Sequence, residues 1–135
     1  MQRVKIGVTF SEWTMVKRGV PQGSVLGPMF YNIFSSDLFQ CIPSGKLHSY
    51  ADDCQIYDSH MEPNELDKLI QNYVTRVNQW FRINGMISNP SKHQAMVEGN
   101  KLPHRFSFPT KDSLELFGVT IDQDLNFDKH IINIC

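Results

Sequence analysis

Two adjacent carboxylates, Asp52 and Asp53, lie between apolar segments of this 135-residue chain. Neighbouring acids repel each other, and a turn offers few partners that relieve the repulsion. Magnesium prefers carboxylate oxygens, and it usually takes only one or two of them from a protein. Two such ions about 4 Å apart activate a hydroxyl and stabilise the leaving oxygen in phosphoryl transfer. The pair therefore indicates a metal site, although an Asp-Asp pair in a solvated turn is common and is weak evidence by itself.

A glycine- and proline-rich segment precedes this pair, since residues 19–28 read GVPQGSVLGP. This composition predicts a loop whose backbone needs unusual dihedral angles. We expect Ser24 to cap a following helix and Pro28 to lie near the start of that helix. A polar Gln22 between proline and glycine has no packing purpose in such a loop, so the segment favours a binding role over a purely structural one.

The elements around these residues follow from the spacing of apolar side chains. Alternation over residues 3–10 predicts a strand that pairs with a second strand over residues 11–16, with a turn near Gly7 or Ser11. Helical spacing predicts a helix over residues 24–39, which ends at the Pro-Ser-Gly of residues 43–45.

The second half of the chain holds the clearest helical pattern. We predict a hairpin of two short strands over residues 47–57, with the paired aspartates at its turn. A helix over residues 65–83 follows, with Asn64 as its N-cap and Gly85 as its stop. Its apolar face predicts a core made of Leu66, Leu69, Ile70, Tyr73, Val74, Val77, Trp80 and Phe81.

Strands are expected over residues 94–97 and 114–121, and a helix begins at Asp128. The chain shows no internal repeat and no linker that divides it.

Composition narrows the class of protein. With 41% hydrophobic and 20% charged residues the chain is typical of a globular domain, and no apolar run is long enough to cross a membrane. Three cysteines without a CxxC pair predict reduced thiols, no disulfide-linked partner and an intracellular setting, in the nucleus or the cytoplasm. The five histidines show no zinc-like spacing. The net charge of -1 is unusual for a protein that binds nucleic acid by itself.

Four motifs in order resemble reverse transcriptases. Residues 50–53 read YADD and resemble their metal-binding turn, and residues 19–30 resemble their GVPQGSxLGPLLF segment almost letter for letter. Residues 80–92 resemble the W…N.L..N..K stretch of non-LTR (LINE-type) retrotransposon enzymes, and residues 116–131 resemble their LGV.ID..L.F..HI stretch.

The resemblance implies an RNA-directed DNA polymerase that uses an RNA template, a DNA primer, deoxynucleotides and Mg²⁺, with Mn²⁺ as a second choice. It implies metal binding by Asp52 and Asp53, and a Lys92 that is either a general acid or a phosphate contact. The implied template and nucleotide contacts are Pro21, Gln22, Gly23 and Ser24, and the implied primer grip is Phe117, Gly118 and Val119.

The resemblance also implies an α+β fold, a truncated palm with one antiparallel sheet and the two longer helices packed on one face. We expect residues 1–127 to form part of the palm and residues 128–135 to begin the thumb. The family's first metal-binding aspartate lies upstream of residue 3, so we expect the isolated chain not to polymerise DNA. Two alternatives are a non-catalytic transposon relic that at most binds nucleic acid, and a carboxylate nuclease, which leaves the PQG segment unexplained.

Overall fold

The computed structural model describes residues 1–17, 19–20, 23–42, 46–98 and 105–134. Within these ranges the chain forms six short strands and three α-helices, so the fold is α+β. No helix in the described ranges is long and apolar enough to cross a membrane.

The chain opens with a small hairpin of strands β1 (Lys5–Ile6) and β2 (Thr9–Phe10). Gly7, at a φ of 61°, turns the chain in a conformation that favours glycine. The prediction of one strand over residues 3–10 is therefore wrong, and the turn at Gly7 is the alternative that holds. A single bridge between Gln2 and Thr14 extends the pairing.

Helix α1 (Gly27–Phe34) is shorter than the predicted helix over residues 24–39. The residue before it is Leu26, so the prediction that Ser24 caps it is wrong, whereas a proline in its first turn is confirmed. The Ser35 hydroxyl donates to the Tyr31 carbonyl oxygen at 2.9 Å. Such side-chain bonds compete with a continuing helix, and the chain goes on as a 3-10 helix, Leu38–Cys41. The predicted end at residues 43–45 lies outside the described residues.

The middle of the chain agrees closely with prediction. Strands β3 (Leu47–Tyr50) and β4 (Asp53–Ile56) form the hairpin expected there. Helix α2 (Pro63–Ile83) follows, and it begins with a proline in its first turn after Glu62, not after the predicted Asn64. The helix ends at Ile83, and Gly85 is the expected glycine stop two residues later. Gly85 has a φ of 72°, and its amide donates a hydrogen bond to the Arg82 carbonyl oxygen at 3.1 Å.

The core lies where α2 packs against the 3-10 helix and the β3–β4 hairpin. Its buried members are Leu38, Ile42, Leu47, Val77 and Trp80. The predicted apolar face of α2 therefore supplies the core only in part, because Val77 and Trp80 are buried and Tyr73 and Phe81 pack against them. Leu66, Leu69 and Ile70 are half-buried, and Val74 is 37% exposed. The Trp80 indole also donates to the Asp37 carboxylate at 3.0 Å, so the core tryptophan is tied to the segment that follows α1.

The last elements are strands β5 (Ser113–Leu116) and β6 (Val119–Asp122) and helix α3 (Asp128–Ile134). The strand predicted over residues 94–97 is wrong, because those residues are irregular and pair with no neighbouring strand. The helix predicted from Asp128 is confirmed.

The six strands form three separate two-stranded antiparallel sheets. Within the described ranges each strand pairs only with its neighbour in the chain, so the one continuous sheet that was expected is absent there. The two longer helices also do not cover one sheet face together. Instead α2 lies against β4 and the 3-10 helix, and α1 meets α2 where the Phe34 and Trp80 rings stand 5.9 Å apart.

A buried carboxylate joins the end of β4 to α2. The Asp58 side chain, only 4% exposed, pairs with the Lys46 ammonium and accepts bonds from the Ser59 amide at 2.7 Å and the Tyr73 hydroxyl at 3.0 Å. Burial acts to raise the pKa of the Asp58 carboxyl, but these hydrogen bonds and the Lys46 charge outweigh it and hold the pKa below its ordinary value.

Because this pKa is lowered in the folded chain, Asp58 stabilises the fold fully above about pH 4, and the contribution falls as pH drops through the folded-state pKa. We expect Asp58→Asn to lower the free energy of unfolding by about 1–3 kcal/mol at pH 7 and by less at pH 3, below the ordinary pKa of an aspartate. Urea unfolding at both pH values measures this. The exposed Asp112→Asn is the matched control and should change stability by less than about 0.5 kcal/mol. An Asp58→Asn loss that is equal at both pH values contradicts the assignment.

Candidate functional site

The Asp52-Asp53 pair lies at the tip of the β3–β4 hairpin, as the sequence predicts. Tyr50 pairs with Asp53 across the ladder, which leaves Ala51 and Asp52 as a two-residue turn. Ala51 has a φ of 51°, a left-handed conformation that non-glycine residues adopt rarely. Both carboxylates are exposed, so each is free to meet a ligand from solvent.

The tip of the β5–β6 hairpin is built in a similar way. Leu116 pairs with Val119, and the two turn residues, Phe117 and Gly118, have φ values of 52° and 80°. Two consecutive positive φ angles are the pattern of a type I′ hairpin turn, which glycine favours and phenylalanine does not. The single strand predicted over residues 114–121 is therefore wrong, because the chain reverses at Phe117 and Gly118 and forms two paired strands.

The two hairpin tips meet. The Tyr50 and Phe117 rings lie 5.2 Å apart between centroids at an interplanar angle of 67°, an edge-to-face arrangement that aromatic pairs prefer. Both rings remain largely exposed, at 70% and 58%. The contact places the Phe117–Gly118 tip beside the carboxylate turn, and it joins two motifs that are far apart in sequence.

Helix α1 flanks the carboxylate turn from another side. Burial raises the pKa of the Tyr31 phenol, and the nearby charge of Asp52 raises it further. Tyr31 of α1 therefore lies near Asp52. Nothing in the position of Tyr31 in the sequence marks it as a neighbour of Asp52.

Behind the exposed aspartates, strand β4 turns a thiol toward the core. Burial raises the pKa of the Cys54 thiol to about 11, and the neighbouring Cys41 adds to the shift. Cys41 and Cys54 are both free thiols in the structure. The alternation of exposed Asp53 and half-buried Cys54 anchors the hairpin on the core while its carboxylates face solvent.

The donor set at the turn fits a hard divalent cation in part. Two carboxylates match the one or two that Mg²⁺ takes from a protein. The described residues contain no group of three or more His, Cys, Asp or Glu side chains placed to hold a metal ion. The turn therefore offers one side of a metal site, and the remaining ligands of an ion there would be water, phosphate or other protein groups.

The other predicted site residues stand as follows. Pro21 and Gln22 lie outside the described residues. Gly23 has a φ of 77°, which only glycine adopts freely, and the Ser24 carbonyl oxygen accepts the Gly27 amide at 3.1 Å at the entry to α1. Lys92 is exposed at the end of a 3-10 helix, Pro90–Lys92, and in the described ranges it forms no ion pair with the aspartate turn.

One protein family matches most of the chain. The family model described as reverse transcriptase (RNA-dependent DNA polymerase) matches residues 4–121. No solved structure matches the chain significantly.

Three similar proteins come from mobile elements of Drosophila melanogaster. A probable RNA-directed DNA polymerase from transposon X-element is 34% identical over 131 aligned residues, which cover 88% of this chain and 14% of that protein. A probable RNA-directed DNA polymerase from transposon BS is 28% identical over 95% of the chain and 16% of its own length. The RNA-directed DNA polymerase from mobile element jockey is 27% identical over 88% and 14%. The chain thus spans about one seventh of these relatives.

The contact between the two tips has a measurable energy. We expect a double-mutant cycle of Tyr50→Leu and Phe117→Leu to give a coupling energy of about 0.5 kcal/mol, because edge-to-face pairs contribute about 0.5–1.5 kcal/mol and these rings are exposed. Urea unfolding of the four chains measures it. The control cycle pairs Tyr50→Leu with Phe39→Leu, an exposed ring on the 3-10 helix, and should couple by less than about 0.3 kcal/mol. Equal coupling in both cycles contradicts a contact between the tips.

Proposed function

Because the chain belongs to the reverse transcriptase (RNA-dependent DNA polymerase) family of non-LTR retrotransposons, we propose that it forms part of the catalytic palm of such an enzyme. Residues 1–127 would belong to the palm, and residues 128–135 would begin the thumb. The observation that carries the proposal is the strained turn with two exposed carboxylates, Asp52 and Asp53, beside the Phe117–Gly118 tip. A carboxylate nuclease, which needs no element that faces a primer, would not explain why this tip lies beside the carboxylate turn.

In this proposal Asp52 and Asp53 hold Mg²⁺, with Mn²⁺ as a substitute. The bound ions would supply electrostatic stabilisation of the phosphoryl transfer from a deoxynucleotide to the primer hydroxyl. The left-handed Ala51 closes a two-residue turn that presents Asp52 in the turn and Asp53 at the start of β4, so little rearrangement is needed to present them. A further carboxylate would come from a part of the polymerase outside this chain, which spans about one seventh of its relatives.

The neighbouring motifs would position the two nucleic-acid strands and the nucleotide. Gly23, with no side chain and open space where a Cβ would stand, allows the backbone to approach a base pair closely. Lys92 would neutralise charge on the leaving phosphate or donate a proton to it. The template and nucleotide contacts would be Pro21, Gln22, Gly23 and Ser24, and the primer contacts would be Phe117, Gly118 and Val119.

A second candidate is a chain that binds nucleic acid without polymerising. One observation favours it for the isolated 135 residues, since the described part of the chain brings no third metal-binding side chain to the turn. We therefore expect the isolated chain to give no primer extension on an RNA template with Mg²⁺ or Mn²⁺.

The proposal is tested by Asp52→Asn in the polymerase that contains this chain. Removing one ligand charge should lower primer extension on an RNA template with Mg²⁺ by at least about a hundredfold. The control is Glu115→Gln, which removes the same charge from an exposed position on β5 and should leave extension within about twofold of the parent. Wild-type extension by Asp52→Asn contradicts the metal assignment.

A further inference from the structure

One face of the N-terminal hairpin combines cations with exposed aromatic rings. This surface, the Arg3 face, consists of Arg3, Lys5, Phe10 and Trp13. The Arg3 guanidinium carbon lies 3.9 Å from the centroid of the Phe10 ring and 4.7 Å from that of the Trp13 ring. The Lys5 ammonium lies 5.4 Å from the Phe10 centroid. The four side chains therefore form one continuous surface.

The strand register explains why these side chains share a face. Lys5 pairs with Phe10 across the hairpin, and side chains on paired residues point to the same side. Alternation along the strand puts Arg3 on that side as well, and Val4 and Ile6 on the other. One face of the hairpin is therefore apolar and can pack against other protein. The opposite face carries the cations and the aromatic rings and is not needed for packing.

The rings of the Arg3 face keep free surface after their contact with the cations. Phe10 is 46% exposed and Trp13 is 56% exposed. A purely structural cation–ring contact contributes only about 0.5–1 kcal/mol at an exposed site and leaves large aromatic area in water. Aromatic rings that stay open beside cations are the arrangement on which proteins stack the bases of single strands.

The N-terminal segment that contains this hairpin carries an excess of positive charge, whereas the whole chain does not. Residues 1–17 contain Arg3, Lys5 and Lys17 but only one acid, Glu12, whereas the whole chain has a net charge of -1. The ion pairs in the described ranges are Lys46–Asp58 and Lys68–Glu65, so neither Arg3 nor Lys5 is neutralised by a carboxylate there. These cations are available to contact phosphates.

We propose that the Arg3 face binds single-stranded RNA. Bases stack on Trp13 and Phe10, and Arg3 and Lys5 contact the phosphates that flank those bases. The choice of RNA over another single strand rests on the proposed function, because an RNA-directed polymerase must hold unpaired template. The surface itself follows from the cation–ring geometry and the local charge.

The two tryptophans provide a direct readout. Trp13 is exposed, whereas Trp80 is 8% exposed in the core and is shielded from a bound strand. We expect an oligouridylate of about 12 nucleotides to quench the Trp13 emission of the full chain, without deoxynucleotides or divalent ions. Quenching should persist in Trp80→Phe and vanish in Trp13→Phe. A wild-type chain whose emission does not respond to the RNA overturns the proposal.

Variants separate stacking from simple charge attraction, with fluorescence anisotropy of a labelled oligouridylate as the measurement. Trp13→Ala should weaken binding about 5- to 150-fold, whereas Trp13→Phe, which keeps a ring, should stay within about threefold. Arg3→Gln should reduce the slope of log affinity against log salt concentration by about 0.7. The charge-matched control is Lys111→Gln, at an exposed position far along the chain, which should leave the affinity within about twofold. Equal losses for Arg3→Gln and Lys111→Gln overturn the proposal.

The assay is independent of catalysis. It uses no nucleotide and no metal, so a failure of primer extension leaves it unaffected, and an absence of quenching leaves the Asp52 test unaffected. Far-UV circular dichroism establishes that each variant is folded, and the Trp80 emission adds to this in the variants that keep Trp80. The quenching of Trp13 in the unaltered chain decides the stacking claim even if Trp13→Ala does not fold.

Discussion

The site depends on one constraint, which is that two consecutive carboxylates of like charge are both exposed at a strained two-residue turn. In the β3–β4 hairpin Leu47 and Cys54 turn toward the core. Asp53 points to the opposite side of β4 and Asp52 lies in the turn, so both carboxylates remain exposed. The left-handed Ala51 closes the turn in two residues. Repulsion between the carboxylates is tolerated because the buried side of the hairpin, not the turn, supplies the stabilisation.

The core beneath this turn is small and is organised by α2. The Trp80 ring packs in this core, and its indole N–H donates a hydrogen bond to the Asp37 carboxylate. This side chain therefore joins α2 to the segment that precedes the 3-10 helix. Many apolar residues elsewhere remain exposed, including Met29, Phe30 and Ile33 on α1. Exposed apolar area on this scale is typical of surfaces that meet other protein, which is consistent with a chain that spans about one seventh of its relatives.

The spacing of apolar and turn-forming residues predicted the hairpin and the long helix in the middle of the chain well. The β3–β4 hairpin and α2 were predicted within about two residues because the spacing of apolar residues and the Gly85 stop act over a few neighbours. The first helix was predicted too long because Ser35 bonds back to the Tyr31 carbonyl, an effect that periodicity does not register. The single sheet was wrong because pairing between hairpins is a long-range property, which strand patterns do not specify. For the same reason the aspartate turn was predictable, whereas its contact with Phe117 was not.

The central claim is that Asp52 and Asp53 form a cation-binding turn. The most direct measurement adds substoichiometric Mn²⁺ to the isotope-labelled chain and follows the broadening of backbone amide signals. The carboxylates of Asp112, Asp122, Asp124 and Asp128, here called the acidic loop, line another part of the surface and serve as the internal comparison, although they are not placed to hold an ion as a group. The account predicts that the amides of residues 51–53 and of the nearby Phe117 broaden first, and that Asp52→Asn removes this effect. Broadening confined to the acidic loop, or unchanged by Asp52→Asn, would contradict it.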